Sequence, residues 1–321
     1  MANSHKVGII GLGIMGRRML EHMLLHEHFE PIALWDPSPD ACALASELAP
    51  SVQVAQDAEA VIAASDVVYL ACPPVPRKAY ALAAAANGKA VFLEKPLGVD
   101  VAESRDLVAQ LEQAGVPATV NFTQAAGEAL ATISSDPTMG APAGIDIVVT
   151  YPRWPRAWQV EADWLRFSAE GGYTREVISH FVFFSMRVLG PLKLIWSNPT
   201  YPGDRDLCET HIAARLENAD GVPVSIFASV GGEQPDRQEM TIKGANKSYR
   251  VAEFHLLSMS EGGPFEEAAT PPADPRAVSL KAQLNEMDKA MRGEPHRLAT
   301  IQEALHVQEL IEAMLLAPQK A

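Results

Sequence analysis

The chain has 321 residues, 48% hydrophobic and 21% charged, a globular composition with room for two cores. Its net charge of −14 opposes binding to nucleic acid or anionic lipid, and no apolar run approaches the roughly 18 residues of a membrane span. Cys42, Cys72 and Cys208 are odd in number and far apart, which suits free thiols in a reducing cytoplasm better than a disulfide framework. The opening Met1–Lys6 runs straight into Val7–Ile10 with no leader pattern, so a cytoplasmic location is expected.

In chain order, Val7–Ile10, Pro31–Trp35, Val67–Ala71, Ala90–Leu93 and Pro117–Phe122 have the length and continuous apolarity of buried parallel strands. Between them Gly16–His26, Pro39–Leu48, Asp57–Ala63, Lys78–Asn87 and Val101–Gln113 have helical patterns. This alternation predicts an α/β domain over residues 1–122, a doubly wound parallel sheet of the Rossmann type. Beyond it the texture changes. After a helical Ala126–Ser134 and a loop at Asp136–Gly144 come strand-like Ile145–Tyr151, Leu192–Ser197, Thr210–Leu216, Pro223–Val230, Glu239–Lys243 and Tyr249–Val251. Several alternate polar and apolar residues, as strands of a one-faced antiparallel sheet do. Gly171–Leu189 reads as a helix among them, Ser260–Pro275 as a loop, and Pro275–Arg292 and Thr300–Leu316 as closing helices. Residues 123–321 are therefore expected to form an α+β domain with a predominantly antiparallel open sheet.

The first chemical motif is Gly11-Leu12-Gly13-Ile14-Met15-Gly16, a G-x-G-x-x-G that follows a strand and opens a helix. Gly11 allows the tight turn, Gly13 the approach of a pyrophosphate, and Gly16 close helix–strand packing, with free N–H groups at the helix start facing the phosphates. Asp36 ends the second strand, where a carboxylate accepts the adenosine ribose hydroxyls. No Lys or Arg occurs from Asp36 through Pro76 to pair a 2′-phosphate, so NAD is expected over NADP, with Arg17 and Arg18 the only nearby cations that leave NADP open.

The glycine loop followed by Met19 resembles the opening of the β-hydroxyacid dehydrogenases and imine reductases. The lack of any Lys between Lys95 and Lys193 and the strand-rich second half depart from that pattern. Glu94-Lys95-Pro96, following Val91-Phe92-Leu93, is the better guide. It resembles the glucose–fructose oxidoreductase, inositol dehydrogenase and MocA-like (Gfo/Idh/MocA) family, and the resemblance extends over nearly the whole chain. It implies an active-site Lys95, a cofactor-covering turn at Cys72-Pro73-Pro74, and a domain crossing at Val120-Asn121-Phe122. Gly171-Gly172, Glu176 and His180 match a substrate-contacting helix, with Glu in place of the usual Asp. Arg77 stands where the family often has His, and Gln124-Ala125 where it often has Arg-Arg. Glu94 looks like a nicotinamide-side or positioning group, and a cis Lys95–Pro96 bond is expected by analogy.

Hydride transfer at a carbinol carbon needs a proton to move on the attached oxygen, and a lysine whose pKa is lowered by burial and nearby charge can move it. Lys95 lies just past the C-terminal end of a parallel strand, where ligands bind in such sheets. Glu176 and His180, four residues apart, share a helix face. The expected activity is an NAD(P)-dependent dehydrogenase or reductase acting on a small polar hydroxy or carbonyl compound, by resemblance a sugar, polyol or derivative. Lys95 is the expected acid/base, with His180 and Glu176 beside it. Arg153-Trp154-Pro155-Arg156 and Trp158, near Trp164, either bind a carboxylate or ring or pack an interface, which keeps an imine or carboxylated-aldehyde reductase open. A regulator that binds NAD without turnover is the reading from another class. Arg175 is unassigned, and His211, His255, His296 and His306 show no metal-ligand grouping. A homodimer or homotetramer through the open sheet is expected from the resemblance, because one uncovered sheet face needs a partner.

Overall fold

A computed structural model of the chain describes residues 4–316 apart from positions 205 and 269. It divides into two compact units, one formed by the residues up to Phe122 with Arg276–Leu305, the other by Thr123–Pro275 with the chain from His306 on.

The first unit alternates β1 (His5–Ile10), α1 (Ile14–Leu24), β2 (Phe29–Trp35), α2 (Pro39–Leu48), β3 (Gln53–Val54), α3 (Ala58–Ala64), β4 (Val67–Leu70), α4 (Pro74–Ala86), β5 (Ala90–Glu94), α5 (Val101–Ala114) and β6 (Ala118–Asn121). The sheet runs β3-β2-β1-β4-β5-β6 with every pairing parallel, the strand order of a doubly wound nucleotide fold. Strands β1, β4 and β5 are apolar because both faces are covered, and Val7, Ile9, Val68, Tyr69, Val91 and Phe92 are fully buried. The two-residue β3 was not legible in the sequence. Its pairing with β2 rests on only two residues, too few to show a period.

The sequence pattern placed residues 276–305 with the second half of the chain, whereas they pack with the first unit. Helix α8 (Pro275–Met291) buries Leu280, Leu284, Met287 and Ala290 against the core of Val7, Ile9, Met19 and Phe92. Its polar residues bind the same unit, with His5 Nε2 3.0 Å from Asp288 Oδ1 and His26 Nε2 3.0 Å from Asn285 Oδ1. A short strand, Ala299–Thr300, then pairs antiparallel with β6 at the edge of the sheet.

In the second unit α6 (Glu128–Ser135) precedes β7 (Pro142–Tyr151), a π-helical turn at Thr174–Ile178 and α7 (Ser179–Leu189). Then follow β8 (Lys193–Thr200), β9 (His211–Glu217), β10 (Pro223–Val230), β11 (Arg237–Gly244), β12 (Ser248–Ala252), β13 (Leu256–Ser260) and β14 (Glu266–Glu267). The eight strands are ordered β14-β13-β12-β11-β7-β10-β9-β8, and all neighbours are antiparallel except β7 and β10. One face is apolar and buried through Ile212, Ala214, Leu216, Val224, Ile226, Ala228, Met240, Ile242 and Val251. Phe227 and Trp196 on β10 and β8 are exposed. Strand β14 lies within the expected loop Ser260–Pro275, and β13 in a stretch to which no element was assigned, because Leu256–Ser260 alternates too weakly to announce itself. The chain closes with α9 (Ile301–Leu316). Among the described residues no helix is long and apolar enough to cross a membrane.

Candidate active site

The sheet order reverses between β1 and β4, which opens a crevice at their C-terminal ends. Gly11 sits there with φ +96°, and a Cβ on it would lie 2.4 Å from the backbone nitrogen of Cys72. A Cβ on Gly16 would lie 1.9 Å from the Gly11 carbonyl oxygen, so α1 approaches the turn as closely as only glycine permits. Gly13 is different. It is exposed, and a Cβ there would meet nothing within 4 Å. Ile14 and Met15 follow as the first turn of α1, both half-buried.

Helix caps mark the same edge. Ser38 caps α2, Asp57 caps α3 and Asp100 caps α5, each accepting a backbone N–H three residues on. Helices α1 and α4 begin at Gly13 and Pro73 with no side-chain cap. They follow the two strands that flank the reversal, and the N–H groups of the first turn of α1 face an anion at that point, whereas Pro73, Pro74 and Pro76 at the start of α4 have no N–H to offer. Asp36 lies beside the loop. Its Oδ2 accepts the Leu12 N–H at 2.7 Å and its Oδ1 the Ser38 N–H at 2.8 Å, which fixes the carboxylate and leaves lone pairs for a diol.

Strand register brings the next group to the same edge. Ile10 pairs with Leu70, Leu70 with Leu93, and Glu94 with Asn121, so Gly11, Ala71, Glu94 and Asn121 fall in one row at this edge and Lys95 and Phe122 stand one residue beyond it. Lys95 is half-buried and its bond to Pro96 is cis. Glu94 is buried, accepting from the Tyr69 hydroxyl and from Asn121 Nδ2 at 2.6 Å. Burial pushes the Glu94 carboxyl above the usual range and the Tyr69 hydroxyl well above its own.

Arg77, 3% exposed, aims its guanidinium at the protein's own backbone. It donates to the carbonyls of Cys72 at 2.5 Å, Glu94 at 2.6 Å and Pro96, so it ties the start of α4 to the Glu94-Lys95-Pro96 turn. Among the cofactor-contacting candidates it is thus placed as a brace. Cys72 is buried beneath the turn with its thiol pKa raised by burial, and Pro73 and Pro74 start α4 a full turn before the expected Lys78. Tyr69 and Asn121 were not singled out as site residues. The available signal was a polar group set in or ending an otherwise apolar strand.

In the second unit Gly171-Gly172 leads into the π-helical turn. The Ser179 N–H donates to the Thr174 carbonyl five residues back, and its hydroxyl, 2.6 Å away, donates to the Arg175 carbonyl that an α-helix would have given to the N–H. A π turn takes more than four residues, so Glu176 and His180 stand closer to eclipsed than at α-helical pitch. Glu176 is half-buried and His180 buried. Two acids hold this segment. Glu209 Oε1 accepts the Thr174 N–H at 2.8 Å, acting as a cap from outside the helix. Glu312 takes Arg175 as a bidentate pair at 2.7 and 2.8 Å, which accounts for an arginine the sequence left unassigned.

The Arg/Trp segment is spread out. Arg153 is exposed, Trp154 Nε1 donates to the Leu165 carbonyl at 2.9 Å, and the Arg156 guanidinium lies 4.9 Å from the ring centres of both Tyr151 and Trp158. Its bond to Pro155 makes Trp154 the second residue with a cis peptide. His211 bonds Thr210 and His306 bonds the Leu192 carbonyl. No group of three or more His, Cys, Asp or Glu that could hold a metal ion occurs among the described residues. The three cysteines are free.

Residues 5–122 match the profile of the GFO_IDH_MocA family, described as an oxidoreductase family with an NAD-binding Rossmann fold. An inositol 2-dehydrogenase of Cereibacter sphaeroides is 37% identical over 107 residues, covering 32% of this chain and 31% of that enzyme. The chain therefore aligns with about a third of the length of that relative. Solved structures agree in fold over nearly the whole chain. A UDP-N-acetylglucosamine 3-dehydrogenase from Acidithiobacillus ferrooxidans superposes with TM-score 0.81 at 16% identity, covering 98% of this chain and 97% of that one. A 3-ketoreductase from Actinomadura kijaniata, solved with NADP and TDP-benzene, gives 0.82 at 18% identity over 99% and 98%. Over residues 5–122, its nucleotide-binding unit, the chain is similar to the Gfo/Idh/MocA family of oxidoreductases with an NAD-binding Rossmann fold.

Proposed function

We propose that this protein is an NAD-dependent dehydrogenase or reductase of small polar hydroxy or carbonyl compounds, of the sugar and polyol class. The observation that carries the reading is that Lys95, at the end of β5, and the glycine turn, at the end of β1, lie on the same edge of the sheet with only β4 between their strands. The residues there fit a dinucleotide. Gly13 leaves open space at an uncapped helix start, and Asp36 presents a fixed carboxylate. Gly11, Gly13, Gly16 and the N–H groups of Ile14 and Met15 would hold the pyrophosphate, Asp36 the adenosine ribose, and the Cys72-Pro73-Pro74 turn the nicotinamide side.

A dinucleotide held there would supply the hydride chemistry, NADH for reduction and NAD for oxidation. The Lys95 ammonium gives a proton to the substrate oxygen in reduction, and the amine takes it back in oxidation. Glu94, anchored by Tyr69 and Asn121, and Arg77, bonded to three carbonyls, keep the turn that carries Lys95 from swinging. His180 is the second proton-handling group and Glu176 a hydroxyl acceptor, both assigned from the resemblance. The names of the relatives support the sugar and polyol class, since they act on inositol and on nucleotide-linked sugars.

The exposed Phe227 and Trp196 on the open sheet favour a homodimer or homotetramer formed through that face. The test of the activity is NADH fluorescence on a panel of polyols including myo-inositol, sugars, nucleotide sugars, hydroxy acids and amine–ketone mixtures. Turnover of a polyol or sugar supports the reading, and turnover confined to amine–ketone mixtures replaces it with imine reduction. A tightly held cofactor that no compound oxidises or reduces identifies a regulator.

A further inference from the structure

The β12–β13 hairpin turns through Ala252-Glu253-Phe254-His255, closed by the His255 N–H to the Ala252 carbonyl at 3.1 Å. Its central residues have φ +50° and +68°. Two successive left-handed residues define the tight hairpin turn that Asn-Gly or Gly-Gly adopts with least strain. Among the described residues Glu253 and Phe254 are the only non-glycine ones with positive φ. A bulky side chain there costs strain that persists only where the surroundings over-determine it.

The surroundings do so through the Phe254 ring. It stacks on Phe181, with centroids 5.2 Å apart and planes at 19°, and stands edge-on to the His180 imidazole at 5.6 Å and 76°. Phe181 is fully buried and the Glu253 N–H is fixed to the Gln238 carbonyl at 2.8 Å, so the ring is held from both ends. Neither the profile match, which ends at residue 122, nor the residue types announced this turn.

We propose that Phe254 is a positioning residue for His180, pressed against the imidazole by a turn that trades backbone strain for a fixed ring plane. The role in turnover rests on the reading of His180 as a proton-handling group; the contact itself does not. Glycine at 254 with asparagine at 253 gives the turn its preferred residues, so the double variant E253N/F254G keeps the hairpin while removing the ring.

The test compares wild type, E253N/F254G and F254Y by NMR of histidine-labelled protein, with the His180 signals assigned by their loss in H180N. The His180 ring protons should show a ring-current displacement in wild type and F254Y that vanishes in E253N/F254G. Using the panel compound that wild type turns over fastest, kcat should fall roughly tenfold to a hundredfold in E253N/F254G, with KM for the nicotinamide cofactor unchanged and F254Y restoring the rate. Unchanged His180 signals, or an unchanged kcat, in E253N/F254G overturn the proposal. Full turnover in H180N sinks the reading of His180 instead, and the ring signals then judge the contact by themselves.

Discussion

At the scale of single residues, Asp36 and the two glycines at positions 13 and 16 make opposite demands. Asp36 is fixed by two backbone N–H groups, and a 2′-phosphate beside it would meet a carboxylate. Wild type should therefore bind NADH more tightly than NADPH, and Asp36→Ser should narrow the ratio by about tenfold, measured by fluorescence titration. A wild-type preference for NADPH would contradict this. Gly13→Ala has space for its methyl, so the fold should hold while NADH affinity falls. Gly16→Ala places a methyl on the Gly11 carbonyl, so both Tm and NADH affinity should drop. The places of Asp36 and the glycines were legible because they are local: a turn, a strand end and a fixed spacing. The role of Arg77 was not, because its three acceptors come from positions 72, 94 and 96 and meet only when strand ends and α4 assemble.

At the scale of elements, the strands of the nucleotide unit were readable because burial on both faces leaves a continuous apolar signature. The helix at Gly171–Leu189 was readable as a helix but not in its pitch. The π turn depends on the Ser179 hydroxyl, the Glu209 cap and the Arg175–Glu312 pair, none of which shows as a period. Glu209 gives a signed pH prediction. Burial, its largest influence, raises its pKa above the ordinary glutamate range, so the folded state holds the proton more tightly than the unfolded one. The stability from the protonated acid is thus full below the ordinary carboxylate range and is lost as pH rises through the raised value. Glu209→Gln mimics the protonated form and keeps an acceptor for the Thr174 N–H. Its Tm should match wild type in acid and exceed it by roughly a few degrees near neutrality. A Tm deficit that grows with pH would show that the charged form is the stable one.

At the scale of the whole molecule, the change of texture after Phe122 marked the break between the units, but the return of residues 276–305 to the first unit did not show. Helix α8 carries an apolar stripe that would suit either core, and only its partners, among them His5 and His26, decide the matter. The open sheet face belongs to this scale. Phe227→Lys should shift sedimentation toward monomer if that face joins subunits, and an unchanged sedimentation coefficient would place the assembly elsewhere or nowhere. Everything proposed for the cycle depends on the ammonium of Lys95, and the most direct measurement is turnover beside NADH titration for Lys95→Met. The account predicts a loss of kcat by roughly two to four orders of magnitude with NADH affinity nearly intact. Turnover close to wild type in that variant would contradict it.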